Sequence, residues 1–294
     1  MSDRAQFSLA PTRQLRRRKW INRLFEALML TAALAAIAVL VLVIAAVFQR
    51  GHSALTKDFF TKAPTTNFLG TTGGIANSIV GTIVIVAVAT VIALPIGILV
   101  AVYTSEFAHG PVRRVLAFVL DVLNGIPSIV IGIFIFGLVV VGHKQSALAG
   151  GLALSVLMLP LVARSTQEVL ALVPETLREA SFALGVSRWR TVVGLIIPAS
   201  FGGILTGGTL AIARAAGETA PLLFTCALTT NNVSWNPREA LQSIPLTIFQ
   251  DLENPDPSLH AQAWGAALVL LTFVLVVSVL SKAALARNRR KLSR

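Results

Sequence analysis

Apolar and polar residues follow one another along this chain in long blocks rather than alternating at every second or third position. A helix that crosses a bilayer needs about 17–25 mostly apolar residues, at a rise of about 1.5 Å per residue. Six blocks meet that requirement, at roughly residues 27–48, 75–103, 115–141, 147–163, within 200–226, and 263–285. The pattern therefore predicts an all-α membrane protein with six transmembrane helices.

The polar segments between these blocks suggest four parts of the chain. Residues 1–20 form a basic N-terminal tail, and residues 21–74 hold the first span and an outer, periplasmic loop. Residues 75–286 form the transmembrane core, in which residues 166–198 are a polar loop, and residues 287–294 are a second basic tail. The first apolar block is longer than the core of about 7–15 residues typical of a cleaved signal peptide, so we expect it to be retained.

The charges indicate how the chain is oriented. Only 13% of the 294 residues are charged, against roughly 25% in soluble domains, yet the net charge is +12. Nineteen of the 25 Lys and Arg residues lie in segments that six spans would put on one side of the membrane. The positive-inside rule identifies that side as the cytoplasm, so both termini and the polar loop at 166–198 are predicted to be cytoplasmic. The positive charge then faces anionic lipid, and we expect no nucleic-acid partner.

The sequence lacks the residues that disulfide, metal and nucleotide-binding sites require. The single cysteine, Cys226, excludes a disulfide framework and is predicted to be a packing residue, and the four histidines are scattered, so we expect no metal site and no cofactor. A nucleotide-binding P-loop requires Gly-Lys-Ser/Thr, which is absent from this sequence. We therefore expect no catalytic residue in the chain, which is not itself an ATPase.

The polar segment Glu179–Pro198 has helical character although it lies between two apolar blocks. Gly185 is typical of a residue just past a helix end, and Ser187 is a candidate cap for a second helix. Small and apolar residues would share one face of the first helix, at Leu177, Ala180, Ser181 and Leu184. The segment therefore predicts two short helices joined by a glycine turn outside the membrane; we call residues 175–191 the knob.

A second polar group, Arg214 and Glu218, lies inside an apolar block. The two residues are four apart, so in a continuous helix they would share one face. Either charge costs at least about 2.5–3.5 kcal/mol in hydrocarbon, so we expect both to face the interior of the bundle. Two interpretations stay open: an ion pair that only holds helices together, or a path on which Arg214 binds an oxyanion and Glu218 neutralises it between anions.

The knob carries a resemblance to a known family. Glu179-Ala180-Ser181, three residues, Gly185, nine residues and then Leu195-Ile196-Ile197-Pro198 resemble the EAA loop of ABC-importer permeases, with mild substitutions. In that family the loop docks into a groove on a separate ATPase subunit. The resemblance implies that ATPase coupling involves Glu179, Ala180, Ser181 and Gly185. The alternative is an ordinary amphipathic connector between two spans.

A second motif narrows the resemblance. Residues 214–219, Arg-Ala-Ala-Gly-Glu-Thr, resemble the R-A-x-G-E-T motif of phosphate-importer permeases, the PstA/PstC pair, and residues 125–130 and 243–248 resemble the PstA member. The likeness covers roughly residues 77–285 and implies a type I ABC importer permease (MetI-like) fold. It also implies that the substrate path includes Arg214, Glu218 and Thr219.

The resemblance further implies a set of partners. These are a PstC-like second permease, a PstB-like ATPase dimer, a PstS-like phosphate-binding protein, inorganic phosphate and the lipid bilayer. Two other functions stay open at this point: a permease for another oxyanion such as molybdate or sulfate, and a self-sufficient secondary anion transporter. The secondary transporter would leave the knob without a role.

Overall fold

The computed structural model describes residues 13–67 and 70–292. Apart from its connecting loops, the described chain is helical, with one short antiparallel hairpin that pairs β1 (Thr65–Asn67) with β2 (Gly70–Thr72). The helices are α1 (Arg13–Gly51), α2 (Lys57–Thr61), α3 (Ala76–Val102), α4 (Gly110–Gly125), α5 (Ser128–Ile135), α6 (Ala147–Ala171), α7 (Glu175–Ala183), α8 (Arg188–Thr191), α9 (Ile197–Ala216), α10 (Leu222–Thr225), α11 (Ile244–Glu253) and α12 (Pro257–Leu292).

Within residues 13–67 and 70–292, five helical segments are long and apolar enough to cross a membrane, and one bent pair of helices brings the number to as many as six. The five are residues 17–54, 76–107, 147–171, 188–216 and 257–283. The predicted all-α membrane fold is therefore confirmed.

The predicted tails overlap with the first and last helices. Residues 13–20 form the first turns of α1, and α12 continues to Leu292. The remaining tail residues, 1–12 and 293–294, lie outside the described residues.

The predicted third span is not a single helix. Helix α4 and the segment 128–140, which comprises α5 and a π-helical turn, meet at an angle of 95°. Pro127 has no backbone N–H and disfavours helical geometry at Ile126, whose ψ of 129° is extended. Residues 125–130, which the apolar pattern placed inside a continuous span, therefore form the corner of a broken span.

The predicted fifth span begins earlier and ends earlier than the apolar pattern indicated. Its helical segment runs from Arg188 to Ala216, so it takes in α8, a π-helical turn at Val192–Ile196 and α9. Pro198 sits just after that π-helical turn. Since proline clashes with the carbonyl four residues earlier, the wider turn before it lets the helix pass without a break.

The chain divides after Gln49 into two units. In the first, α1 presents apolar side chains that are almost all exposed, as a lipid-facing helix does.

In the second unit, α3, α6 and α9 pack together around a core that includes Ile85, Leu154, Leu222 and Cys226. Cys226 is buried, as its predicted packing role requires. A Cβ atom at Gly97 would lie 2.9 Å from Val162, so the absence of a side chain there lets α3 approach α6 closely.

Candidate functional site

The motif at residues 214–219 lies where a membrane helix ends. Helix α9 stops at Ala216, and the N–H groups of Gly217 and Glu218 close the last turn on the carbonyls three residues earlier. Glycine is a poor helix former, and Pro221 cannot donate to the carbonyl of Gly217. The chain then turns and starts α10 at Leu222.

This helix end changes the predicted relation between Arg214 and Glu218. Glu218 lies past the last residue of α9, so the expectation that both residues share one helix face is wrong. Among the described residues no ion pair joins Arg214 to Glu218. Arg214 is exposed on this chain and Glu218 is half-buried, which also departs from the expectation that both face the interior of this chain's own bundle.

The two side chains nevertheless line one small cleft. Its other walls come from one face of α6 and from α9, at Leu154, Leu157, Met158, Leu161, Ala211 and Ala215. The α6 residues lie around the middle of the span Ala147–Ala171. Arg214 therefore lies level with the middle of α6, beside apolar side chains that do not solvate a guanidinium.

A second interrupted helix approaches the same turn. A Cβ atom at Gly132, on α5, would lie 2.6 Å from the Cα of Pro221, so α5 packs directly on the residues that follow the motif. Thr219 is half-buried there, and its carbonyl accepts hydrogen bonds from the N–H groups of Leu222 and Leu223. The broken α4–α5 span thus packs on the turn that follows the end of α9, and interrupted helices of this kind are typical of transporter binding sites.

The knob has the predicted helix–turn–helix form. Helix α7 ends at Ala183, and Gly185 has a φ of +75°, which favours glycine. The N–H of Gly185 donates to the Phe182 carbonyl (2.9 Å) and the N–H of Val186 to the Ser181 carbonyl (3.2 Å). This pair of hydrogen bonds is the Schellman motif, so the predicted role of Gly185 as the end of the helix is confirmed.

Two details of the knob differ from the prediction. Ser187 occupies the cap position of α8, but its side chain makes no capping hydrogen bond. Ser181 is half-buried rather than on an open face, because its Oγ lies 2.8 Å from the Oγ1 of Thr191 and links α7 to α8.

The rest of the knob surface is open. Glu179 and Ala180 are exposed, and the exposed fraction is 83% for Leu184 and 59% for Trp189. Large apolar side chains exposed together on a short polar segment indicate a surface that another protein covers.

The attachment of the knob to the membrane helices was not predicted. Arg178 donates to the Oε1 of Glu106 at 3.0 Å, to the Oε2 of Glu175 at 3.1 Å, and to the carbonyls of Leu170 and Val173. Only 13% of the Arg178 side chain and 8% of the Glu106 side chain are exposed. Burial lowers the pKa of Arg178, but the hydrogen bonds and charges of Glu106 and Glu175 outweigh it, so its pKa lies above the ordinary value. The pair thus joins the knob to the end of the α3 span.

Comparison with known proteins decides the family. A family model described as "Binding-protein-dependent transport system inner membrane component" matches residues 93–293. The chain belongs to this family. It is therefore a multi-pass inner-membrane component of a transport system rather than an enzyme.

Individual relatives narrow the family assignment of this permease. It is 38% identical over 276 residues to the phosphate transport system permease protein PstA of Mycobacterium leprae, covering 91% of this chain and 89% of that protein. It is 38% identical over 289 residues to PstA 1 of Mycobacterium tuberculosis H37Rv, covering 94% and 92%. The PstA protein of Haemophilus influenzae is 36% identical over 268 residues, with 90% and 94% covered. The chain is thus a member of the PstA group of permeases.

A solved structure confirms the fold. An inward-facing structure of the MetNI methionine ABC transporter superposes with a TM-score of 0.57 at 19% identity, over 73% of this chain and 94% of that chain. The predicted MetI-like permease fold is therefore confirmed, and the similarity extends to the fold alone.

The permease also has a half-buried carboxylate outside its spans. Asp251, on α11, lines a cavity with Gln242 and Gln250, and its Oδ2 has no hydrogen-bond partner in the described chain. Burial raises the pKa of Asp251 to about 7 from the ordinary 3.8. Between these values the folded protein holds a proton that the unfolded chain has lost, so stability falls as the pH rises through this window.

We expect replacement of Asp251 by asparagine to remove much of this pH dependence. In detergent, the wild-type Tm should fall between pH 5 and pH 8, while the D251N variant should fall less and melt higher at pH 8. Glu253→Gln is the matched control, because Glu253 lines the same cavity but is exposed. A D251N variant with the same loss of Tm as the wild type would contradict the assignment.

Proposed function

We propose that this permease is one of the two membrane subunits of an ATP-driven importer of inorganic phosphate. The observation that carries the proposal is the exposed Arg214, which lies level with the middle of α6 and close to two interrupted helices. The phosphate-transport names of relatives that are 36–38% identical over nearly their whole length support the choice of substrate.

The exposure of Arg214 favours a path over a structural ion pair. An arginine at the centre of a membrane helix costs about 2.5–3.5 kcal/mol unless it reaches water or a partner charge. Glu218 does not pair with it in the described chain, so we infer that Arg214 faces an aqueous path between this chain and a PstC-like second permease. The planar guanidinium binds tetrahedral oxyanions through two parallel hydrogen bonds.

Glu218 and Thr219 complete the proposed site. A carboxylate in the same cleft lowers the affinity of Arg214 for an anion, so the site releases phosphate instead of trapping it. The Thr219 hydroxyl supplies a neutral donor next to that carboxylate.

The orientation follows from the distribution of charge. The excess of Lys and Arg supports cytoplasmic termini and a cytoplasmic knob. We infer that a PstB-like ATPase dimer covers Glu179, Ala180, Leu184 and Trp189, and that a PstS-like binding protein delivers phosphate at the opposite face. Nucleotide binding would move the knob, and the buried Arg178–Glu106 pair would carry that movement to the α3 span.

The proposal is tested by transport in cells that lack their own phosphate permeases. Cells that express this chain with its partner subunits should accumulate labelled orthophosphate, and the tagged chain should purify with the second permease and the ATPase. Sulfate and molybdate in tenfold excess should not compete. Competition by either anion would overturn the choice of phosphate, and uptake by this chain alone would overturn the ABC mechanism.

Gly185 offers a test of the coupling role. A valine there adds roughly 1–2 kcal/mol of backbone strain at a φ of +75°, although no atom lies within 4 Å of the added Cβ. We expect Gly185→Val to distort the knob, so that ATP is hydrolysed with little phosphate transport. Gly185→Asn is the control, since asparagine tolerates this conformation and should keep most of the coupling. Wild-type coupling in the G185V variant would count against docking through the knob.

A further inference from the structure

A cavity of about 460 Å³ lies between the knob, α4 and the ends of α3 and α6. Four arginines and two glutamates are its charged lining residues: Arg113, Arg164, Arg178, Arg188, Glu106 and Glu175. A water molecule occupies about 30 Å³ in the liquid, so the cavity can hold a hydrated oxyanion. The lining carries an excess of positive charge that the proposed transport site at Arg214 does not use.

Two of the four guanidiniums already form ion pairs with carboxylates of this chain. Arg178 pairs with both glutamates of the lining, so neither carboxylate is left to repel an anion at full strength. Arg164 pairs with Asp121 and donates to the carbonyl of Ala117 and to Gln167. These two arginines shape the wall of the cavity and contribute to its potential.

The other two guanidiniums have no carboxylate partner in the part of the chain that the structure describes. Arg113 is exposed on α4. Arg188 is exposed on α8, where its guanidinium lies 5.7 Å from the ring centroid of Phe107 and its Nη2 lies 3.4 Å from the Nε2 of His109. None of these contacts neutralises either charge, and the two residues line one cavity from different helices.

We propose that this cavity is a second anion site, which binds a phosphate-type oxyanion through Arg113 and Arg188. The shared chemistry is a phosphate group held by two guanidinium forks. Free orthophosphate and the headgroup of an anionic lipid both present that group, and basic pockets between membrane helices bind such headgroups. An anion held there would link α4 to the knob.

Equilibrium dialysis of the purified full-length chain with labelled orthophosphate tests whether the site binds free phosphate. The double variant Arg113→Gln/Arg188→Gln should weaken binding about tenfold, because it removes two ionic contacts from solvent-exposed arginines, and exposed ionic contacts are weak. The matched control is Arg114→Gln/Arg190→Gln, which removes the same charge from exposed neighbours outside the cavity. Dialysis is repeated in the Arg214→Gln background, which removes the proposed transport site, so that the remaining binding reports this cavity alone.

Native mass spectrometry tests whether the site binds a lipid headgroup. The chain is first reconstituted in nanodiscs of phosphatidylcholine with and without phosphatidylglycerol. A headgroup site predicts that the wild type and the R114Q/R190Q control retain phosphatidylglycerol while the R113Q/R188Q variant loses it. The single variants R113Q and R188Q, each expected to weaken binding about threefold, replace the double variant if it does not fold. The site would be overturned if the two double variants bound the anion equally well in both experiments, or if both weakened binding to the same extent. It would also be overturned if the wild type bound neither orthophosphate nor phosphatidylglycerol.

Discussion

Replacing Arg214 with glutamine should reduce phosphate uptake by at least about 100-fold while the transporter still assembles. Glutamine has a similar length but lacks the charge and the two parallel N–H donors. Each hydrogen bond to a charged group is worth about 1.5–3 kcal/mol, so the loss of two such bonds at an apolar mid-depth site exceeds the roughly 2.7 kcal/mol that a 100-fold change represents. The measurement is the initial rate of labelled phosphate uptake, normalised to the amount of assembled complex.

Two further variants separate the path from a structural role. Arg214→Lys keeps the charge but not the planar fork, so it should retain a part of the uptake. Arg238→Gln changes an exposed residue of the loop between α10 and α11, and this variant should transport as the wild type does. Full uptake by an assembled R214Q complex would leave Arg214 with no role in transport.

Replacing Arg178 with alanine should have the largest effect on stability. Removing one partner of a buried ion pair costs about 3–5 kcal/mol, and the partial exposure of Arg178 favours the lower end, about 3 kcal/mol. The substitution also leaves Glu106 buried without its partner and removes donors from the carbonyls of Leu170 and Val173. We expect a lower Tm and faster tryptic cleavage at Arg188 and Arg190, because the knob is no longer held to α3.

Conservative changes show whether the pair or the bulk of the side chain matters. Glu106→Gln keeps an acceptor for Arg178 but removes the charge, so it should cost less than Arg178→Ala. Arg190→Ala removes an exposed arginine from the same segment and should leave the free energy of unfolding within about 0.5 kcal/mol of the wild-type value. An R178A variant that melts and resists trypsin as the wild type does would contradict the anchoring role.

The features that sequence predicted well are local or set by the bilayer. Long apolar blocks identify membrane helices because a helix satisfies its own backbone hydrogen bonds in lipid, within a single segment. Gly185 could be placed past a helix end because its φ of +75° is rarely adopted by other residues. Both inferences need only a short window of sequence.

Features that depend on breaks within an apolar block were missed. The 95° bend at Ile126-Pro127 and the end of α9 at Ala216 both occur at glycine or proline, which the sequence displays, but membrane helices often continue through such residues. Whether the helix stops depends on its neighbours, here the packing of α5 on Pro221. The assumption of a continuous helix therefore gave the wrong relation between Arg214 and Glu218.

Contacts between segments that are distant in the sequence could not be predicted either. Arg178 and Glu106 are 72 residues apart, and each is an ordinary charged residue next to a membrane span. The only signal was a carboxylate directly after the apolar run that ends near Tyr103, which needs a partner if it is buried. Arg113 and Arg188 likewise line one cavity because the chain folds back on itself, and their spacing in the sequence does not indicate this.

The central claim is that this permease transports phosphate only when a separate ATPase drives it. The most direct measurement is phosphate accumulation in proteoliposomes that contain the chain alone, the two permeases, or the complete complex with ATPase and binding protein. We predict ATP-dependent accumulation by the complete complex and none by the other two preparations, with or without an ion gradient. Accumulation by the chain alone would contradict the account.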